Sequence, residues 1–385
     1  MIITVVCDVL GEENNGTTVA TNNLIRFLKA QGHEVRVVCS DKDKMNWKNY
    51  YITPTISLGK VIDKYVAKAG VSLAKADKEI LTSAISGADI VHVMLPFSLG
   101  KMAVKIANEL NIPTTAGFHM QAENFTSYIN LNKLQLLNKL VYKTIYNNVY
   151  KKVDRIHYPT QFIKDTFEKQ IGKNTSGVVI SNGVHDYVKK YYIEKPNELK
   201  DKYVILSTGR YAREKSQDTI IKAVKLSKYK DNIQLILAGC GVKEKEYKKL
   251  SKDLPVQPIF KLFDRKELVD VINYSDMYVH PAEIELEGIA CLEAISCGKL
   301  TIVSDSTKSA TRYFAVDKKC IFKNRNPKDL ARVIDYFIEH PNESKKIANL
   351  YLQSEIIQSQ QDCLKQMEQM MLEVVNENKR KNHLL

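Results

Sequence analysis

Short apolar runs alternate with amphipathic stretches along the chain. Residues 2–7 form an apolar run typical of a buried strand, and residues 19–30 carry apolar side chains at helical spacing. Another apolar run follows at residues 35–39, and the same alternation returns at residues 88–95 and 99–110. A strand–helix–strand opening that continues in this way predicts parallel sheets covered by helices, an α/β fold.

The alternation is interrupted once. Residues 187–202 are rich in lysine, tyrosine and charge and contain Pro196, a composition that favours a linker between domains. A new apolar run begins at residue 203. We therefore predict a first domain at 1–186, a linker at 187–202, a second domain at 203–345 and a polar helical segment at 346–385.

An acidic loop lies between a predicted strand end and a predicted helix in the second domain. Glu285 and Glu287 precede Gly288, which opens a helix whose first residues are Ile289 and Ala290. The backbone N–H groups and positive dipole end of such a helix suit phosphate, and neighbouring carboxylates suit sugar hydroxyls. The pattern predicts a pocket for a sugar joined to a diphosphate. The alternative is that the acids only offset the helix dipole.

A pair of cations follows the first strand of the second domain. Arg210 and Lys215 stand five positions apart directly after Gly209. Arginine with its planar fork and lysine as a point charge are suited to hold a diphosphate and to offset the charge that grows on it as it leaves. The alternative is that both side chains pair with surface acids.

Polar residues also follow a strand of the first domain. The run at residues 112–116 leads to His119, Glu123 and Asn124. Open α/β sheets bind ligands at the carboxyl ends of their strands, so His119 is a candidate for ligand contact. A single histidine in this place also fits a purely structural role.

The formal net charge of +13 and the pI near 9.1 predict attraction to polyanions. No signature of a nucleic-acid-binding motif is present, which favours an anionic membrane surface. Residues 131–150 predict a helix in which Lys139 and Lys143 stand among tyrosines, as in helices that lie at a membrane surface. Its apolar side would contain Leu134, Leu137, Leu140, Val141, Ile145 and Val149. The alternative is a helix packed on the sheet whose lysines are only solvated.

Composition narrows the class of protein further. The 385 residues are 44% hydrophobic and 26% charged, as in a folded soluble protein. No apolar run reaches membrane-spanning length, and the first residues resemble a strand rather than a signal peptide, so we expect a cytoplasmic protein. The seven cysteines form no paired motif and are expected to be reduced. No acidic motif calls for a metal, and we expect no cofactor.

The motifs carry a family resemblance. The spacing Glu285-x7-Glu293 with Ala294 and Gly298, and the Gly-Arg-x-x-x-Glu-Lys pattern at 209–215, resemble the family-4 retaining glycosyltransferases of the GT-B fold. The resemblance implies two Rossmann-like, doubly wound parallel-sheet domains facing a central cleft. The first would lie on the acceptor side and the second would bind the nucleotide sugar. The final helices are expected to return to the first domain.

The resemblance also implies roles for residues. Glu293 would hold the ribose hydroxyls, Glu285 and His119 would touch the donor sugar, and Arg210 with Lys215 would hold the diphosphate. Further donor contacts are then expected at Gly16, Gly209, Gly241, Arg265, Glu287, Gly288, Ile289 and Ala290. Glu123 and Asn124 are the candidates for the acceptor side. For Gly16 a positive φ in a turn is an equal alternative.

The implied reaction moves a hexose from a nucleotide diphosphate donor, expected to be UDP-glucose or UDP-galactose, to an acceptor hydroxyl without a metal. The basic surface favours a membrane lipid such as diacylglycerol, at the inner face of the cell membrane. Within the same class, the rival is a polyprenyl-linked or cell-surface polysaccharide precursor. A nucleotide-sugar epimerase and a catalytically silent binding module are the alternatives from other classes. Glu287 stands where many members carry an aromatic residue, so the sugar is not implied.

Overall fold

The structure is a computed structural model, and it describes residues 1–8, 10–11, 16–56, 73–124 and 135–383. The chain forms two compact units. The first contains Met1–Asn182 and Asp362–Leu385, and the second contains Gly183–Gln361. Each unit has its own sheet and its own hydrophobic core, as the alternation of strands and helices predicts.

The first unit is built on a seven-stranded sheet in the order β3-β2-β1-β4-β5-β6-β7, in which every pair is parallel. Its strands are β1 (Ile2–Val6), β2 (Glu34–Cys39), β3 (Tyr50–Ile52), β4 (Ile90–Val93), β5 (Thr114–Gly117), β6 (Arg155–Tyr158) and β7 (Gly177–Val179). Its helices are α1 (Gly16–Ala30), α2 (Lys78–Ile85), α3 (Ser98–Glu109), α4 (Gln135–Asn148) and α5 (Gln161–Ile171).

The second unit is built on a six-stranded parallel sheet in the order β10-β9-β8-β11-β13-β15, beside a small pair, β12 and β14. The strands are β8 (Tyr203–Thr208), β9 (Ile233–Ala238), β10 (Ile259–Lys261), β11 (Met277–His280), β12 (Ile284–Glu285), β13 (Leu300–Ser304), β14 (Lys308–Ser309) and β15 (Ile321–Phe322). The helices are α6 (Gln217–Leu226), α7 (Glu244–Leu250), α8 (Arg265–Tyr274), α9 (Ile289–Ser296), α10 (Pro327–Glu339) and α11 (Pro341–Gln353).

The last helix, α12 (Gln360–His383), belongs to the first unit. It places Met367, Met370, Met371 and Val374 in the same core as Leu24 and Leu28 of α1. These four residues recur at helical spacing and give the otherwise polar helix one apolar face. The polar composition of the segment hides this face. Helix α11, whose C-terminal half falls in the predicted segment 346–385, belongs to the second unit.

Residues 187–202 differ from the predicted linker. Val188 and Leu199 are buried in the core of the second unit. The backbone is also held, because Ser296 donates to the Val188 carbonyl at 2.7 Å and Asn273 donates to the Lys189 carbonyl at 3.1 Å. Two apolar anchors in a charged stretch thus make it part of the folded unit.

Among the residues that the structure describes, no helix has the length and apolar character needed to cross a bilayer.

Packing of α12 yields a prediction for stability. Met371 is fully buried in the core of the first unit, so Met371→Ala should lower the free energy of unfolding by about 2–5 kcal/mol. Gln366→Ala, on the exposed side of the same helix, should change it by less than about 0.5 kcal/mol. Urea unfolding followed by the fluorescence of Trp47, which lies in the first unit, measures both. Equal effects of the two variants would contradict the packing.

Candidate functional site

The candidate donor site in the second unit lies where neighbouring parallel strands end. β8 and β11 are adjacent in the sheet, and β13 follows β11. The segment after β8 carries Arg210 and Lys215, and the segment after β11 carries the acidic loop. Because parallel strands bring their carboxyl ends to one edge, the cations and the acids meet there.

Glu285 is held directly by Lys215. The Lys215 Nζ lies 2.5 Å from the Glu285 Oε2, and both side chains are largely buried. The Glu285 Oε2 also lies 3.2 Å from the His280 Nε2. Burial by itself would raise the pKa of Glu285, but the charge of Lys215 and the hydrogen bonds from His280 and Lys215 outweigh it and lower that pKa to about 2. Glu285 is therefore an anion at neutral pH.

A hydrogen-bonded chain runs from this pair into the sheet. The His280 Nδ1 lies 3.2 Å from the Tyr278 hydroxyl, which lies 2.8 Å from the Thr208 hydroxyl. Tyr278 and His280 are both buried. These two residues were not predicted from the sequence as part of the site. Their spacing offered a signal, because residues two apart on a strand share a face.

A short parallel pairing of backbone also fixes Glu285. Ile284 and Glu285 form β12, which pairs with Lys308 and Ser309 of β14. The neighbouring Glu283 is neutralised separately, since the Arg325 Nε donates to its Oε2 at 2.6 Å and the Lys308 Nζ lies 3.9 Å from its Oε1. Glu287 is buried as well. The loop thus presents Glu285 as the carboxylate paired with Lys215.

Arg210 lies next to a buried acid of its own segment. Its Nη2 is 3.5 Å from the Oε1 of Glu214, which is buried. The backbone on either side is tied to the next strand: the Gly209 N–H donates to the Ala238 carbonyl at 3.0 Å and the Tyr211 N–H to the Cys240 carbonyl at 2.8 Å. Gly209 and, one residue beyond Cys240, Gly241 therefore lie in neighbouring turns at this edge of the sheet.

Gly288 opens α9 in a conformation that requires glycine. Its φ is +88°, and a Cβ at this position would lie 2.3 Å from the Thr311 Cγ2. Ile289 and Ala290 follow as the first helical residues, as predicted. Any larger residue at 288 would displace the start of the helix and, with it, the backbone N–H groups there.

Glu293, one turn into α9, pairs with Arg265. The Arg265 Nη1 lies 3.1 Å from the Glu293 Oε1, with Arg265 about half exposed and Glu293 buried. Burial raises the pKa of Glu293, and the charge and hydrogen bond of Arg265 oppose it. Arg265 is positioned because Asp264 caps α8 in a reciprocal bond with Glu267.

Glu283, Glu285 and Glu293 are thus each paired with a side-chain cation. Among the described residues, no three or more histidine, cysteine, aspartate or glutamate side chains are arranged to hold a metal ion. The structure brings together Lys215 with Glu285 and Arg265 with Glu293. The other predicted residues, Gly16, His119, Glu123 and Asn124, belong to the first unit.

His119 lies just beyond β5 in a group of histidines. Its ring centroid is 5.6 Å from that of His157 on β6, and His92 on β4 is also near. Burial, followed by the neighbouring histidines, holds the pKa of His119 well below its usual range. Burial is also the main reason that the pKa of His92 falls to about 3 and that of His157 to about 4. All three are neutral at pH 7.

The remaining first-unit candidates have local roles in the structure. Gly16 is the first residue of α1 and has no positive φ, which overturns the turn alternative. Glu123 is buried and accepts hydrogen bonds from the Tyr142 hydroxyl at 2.7 Å and the Asn138 amide at 3.4 Å. Asn124 donates its N–H to the Gln121 carbonyl at 3.1 Å. The acceptor-side assignment of Glu123 and Asn124 stays a prediction.

The chain was compared with known proteins. Residues 14–186 match the family model "Glycosyltransferase Family 4", and residues 188–350 match "Glycosyl transferases group 1". It is 24% identical to the alpha-monoglucosyldiacylglycerol synthase of Streptococcus pneumoniae over 74% of this chain and 66% of that one, just under two thirds of that protein's length. The enzyme of the same name from Acholeplasma laidlawii is 24% identical over 85% of each chain.

Two further similarities bear on donor and fold. A GDP-mannose-dependent alpha-mannosyltransferase of Corynebacterium glutamicum is 26% identical over 75% of this chain and 68% of its own. The crystal structure of Anabaena HepE in complex with UDP and glucose superposes with a TM-score of 0.71 at 13% identity, over 96% of this chain and 98% of that one. This last likeness concerns the fold.

The two parallel-sheet units have the GT-B fold, and the family models that match them are those of glycosyltransferases. The chain belongs to glycosyltransferase family 4, and it is related to diacylglycerol glucosyltransferases.

The neutral histidines predict how stability depends on pH. Below pH ~6.5 the unfolded chain takes up protons that His92, His119 and His157 of the folded chain do not, so the free energy of unfolding should fall as the pH falls. The loss should reach about 1.4 kcal/mol per pH unit for each histidine and continue down to the folded pKa values, about 4 for His157 and about 3 for His92.

Urea unfolding between pH 7 and 5, followed by Trp47 fluorescence, measures this slope for the first unit. His92→Gln should reduce the slope by one proton. Replacement of His340, an exposed histidine of the second unit, by glutamine is the control and should leave it unchanged. A slope that is the same in the parent and in His92→Gln would refute the assignment.

Proposed function

We propose that the protein is a retaining, metal-independent hexosyltransferase. It transfers a hexose from a nucleotide diphosphate sugar to a hydroxyl of a membrane lipid such as diacylglycerol. The observation that carries the proposal is the Lys215–Glu285 ion pair at the edge of the second sheet, beside the helix start at Gly288. This pair supports the proposal because it offers a cation suited to phosphate and an anion suited to sugar hydroxyls.

The side chains of this site fit a sugar diphosphate part by part. Arg210 and Lys215 supply positive charge for the diphosphate, and the N–H groups of Gly288, Ile289 and Ala290 supply donors with the helix dipole. Glu285, ionised because its pKa is about 2, accepts hydrogen bonds from the sugar. Glu293 accepts from the ribose, positioned by Arg265.

The same groups account for catalysis without a metal. As the bond between the sugar and the diphosphate breaks, negative charge grows on the leaving oxygen, and Arg210, Lys215 and the helix start stabilise it. The acceptor oxygen bonds to the anomeric carbon from the face that the diphosphate leaves. The departing phosphate takes the acceptor proton, so the configuration is retained and no protein nucleophile is used.

Glucose from UDP-glucose is the first candidate donor, and UDP-galactose is the second. The relatives named as monoglucosyldiacylglycerol synthases support glucose and a diacylglycerol acceptor. The similarity to a GDP-mannose-dependent enzyme supports one alternative, transfer of mannose from GDP-mannose. The assay therefore varies both the nucleotide base and the sugar of the donor.

A membrane-facing surface on α4 supports a lipid acceptor. Leu136 is 84% exposed and Leu140 61% exposed, one turn apart, and Lys139 and Lys143 are exposed beside them. The helix packs through Asn138, Tyr142 and Ile145 instead. This corrects the predicted apolar side, which grouped the exposed Leu140 with Ile145 and Val149, both buried. Leu134 lies outside the described residues.

Exposed leucines beside lysines fit an anionic bilayer, where apolar side chains enter the boundary and lysines meet phosphates. We therefore place the protein at the inner face of the cell membrane, bound peripherally.

The transfer reaction is tested directly. The purified chain, offered UDP-glucose, UDP-galactose or GDP-mannose with diacylglycerol vesicles, should yield an α-linked glycolipid with one donor, and EDTA should not reduce the rate. Arg210→Ala and Lys215→Ala should each lower kcat by roughly 10²–10³-fold, since each removes charge at the leaving group. Product formation is measured with radiolabelled sugar.

Lys222→Ala is the control, because Lys222 is exposed on α6 and pairs with Asp218 of the same helix. It should leave kcat unchanged. Unchanged turnover in both Arg210→Ala and Lys215→Ala would contradict the proposal that these two residues hold the diphosphate. Conversion of a nucleotide sugar without any acceptor would instead identify an epimerase.

Membrane binding is tested separately from catalysis. The double variant Leu136→Ser/Leu140→Ser should lower binding to vesicles of phosphatidylglycerol by at least tenfold, because each buried methylene contributes about 0.8 kcal/mol. Leu226→Ser, an equally simple change at an exposed leucine of the second unit, is the matched control. Vesicle sedimentation measures both. If the double variant bound vesicles as well as the parent, α4 would not be the part of the protein that contacts the membrane.

A further inference from the structure

Three histidines of the first unit lie on one face of its sheet. In the parallel register, His92 of β4 stands beside Thr115 of β5, and His157 of β6 stands beside Gly117 of β5. Thr115 and Gly117 are two apart on one strand and so share a face. His119, just beyond the strand, folds its ring back over Gly117, where a Cβ would lie 2.4 Å from the His119 Nε2. Because Gly117 has no side chain, the His119 ring can lie over it.

Two of the three rings are fixed by hydrogen bonds on one nitrogen only. The His157 Nε2 lies 2.7 Å from the Ile180 carbonyl, which accepts, so this nitrogen carries the proton and the Nδ1 of the neutral ring carries a lone pair. The His92 Nδ1 lies 2.8 Å from the Thr115 hydroxyl. The second nitrogens, together with the His119 Nε2, are buried and have no hydrogen-bond partner among the described residues.

The three rings line one cavity of about 20 Å³. A single water needs roughly 10–15 Å³ in this measure and two to four polar partners. The other walls come mainly from α1 and α12, including Leu24, Leu364 and Met367. Because leaving a buried polar atom without a hydrogen-bond partner is unfavourable, three such nitrogens around one cavity call for a shared partner.

We propose that this cavity is a water-binding site, in which one buried water joins His92 Nε2, His157 Nδ1 and His119 Nε2 and holds the His119 ring over Gly117. Water suits the site because it donates to the His157 lone pair and still has a second hydrogen and two lone pairs for the other rings. An anion is unsuited, since the His157 Nδ1 is an acceptor. A metal ion is unsuited too, because the described residues include no group arranged to ligate one.

His92 and His157 are in this view positioning residues for His119. The role of His119 toward a donor sugar belongs to the proposed function, and the water site stands without it. The tests below therefore use no activity measurement, so failure of the transferase proposal and failure of the water site are distinguishable.

The first test is a crystal structure of the full chain at a resolution that shows ordered water. One water should lie within about 3.2 Å of at least two of the three nitrogens. A dry cavity, or an ion identified by anomalous scattering, would overturn the proposal.

The second test uses a matched pair of variants at position 157. An asparagine amide reaches the place of Nδ1, so His157→Asn keeps a polar atom at the cavity and loses the bond to Ile180. A glutamine amide reaches the place of Nε2, so His157→Gln keeps that bond and removes the cavity-facing atom. The ¹⁵N ring signals of His119, measured by NMR on the full chain, should be parent-like in His157→Asn and shifted in His157→Gln.

If His157 had only a structural role, the opposite result would be expected, because only His157→Gln preserves the hydrogen bond to the carbonyl of Ile180, the residue that follows β7. Shifted His119 signals in His157→Asn with parent-like signals in His157→Gln, or parent-like signals in both, would refute the water bridge. At position 92 the pattern reverses, since there Nδ1 is the tether: His92→Gln should be parent-like and His92→Asn shifted.

Discussion

The site in the second unit depends on keeping one buried carboxylate ionised. Removing Glu285 from water disfavours its charged form, and the neighbouring Lys215 and His280 reverse that preference. A buried pair of this kind is strongly coupled: loss of one partner leaves an uncompensated charge, at a cost of about 3–5 kcal/mol. The backbone around the pair is accordingly fixed twice, by β12 against β14 and by the positive φ of Gly288.

Glu285 and Glu293 show how environment separates two chemically identical groups. Glu293 is buried and Glu285 largely so, and each has one cationic partner. Lys215 is largely buried against Glu285 and is supported by His280, whereas Arg265 is about half exposed against Glu293. The pKa of Glu285 therefore falls while that of Glu293 rises. In the proposed donor site, Glu285 would thus be a permanent anion at the sugar and Glu293 a more easily protonated acid at the ribose.

The sequence predicted what depends on local pattern. The strand–helix alternation and the motifs around Lys215 and Gly288 were sufficient for the two parallel sheets and for the meeting of Lys215 with Glu285, since parallel strands end at one edge. It did not predict that residues 187–202 are folded, because Val188 and Leu199 are isolated apolar residues without periodicity. It also grouped the exposed Leu140 with the buried Ile145 on one apolar side. The helix instead buries Tyr142 and Asn138, which are held by hydrogen bonds to Glu123 in a different segment.

The histidine group was hidden for the same reason. His92, His119 and His157 lie 27 and 38 positions apart along the chain, and only the register of β4, β5 and β6 brings them to one face. Such a group has a cost, since three neutral histidines are held in a place where none is easily protonated. A core formed only for stability would be better filled by apolar side chains. The presence of three polar rings near the carboxyl ends of the strands, where open α/β sheets bind ligands, therefore argues that their arrangement serves His119, the one that follows its strand.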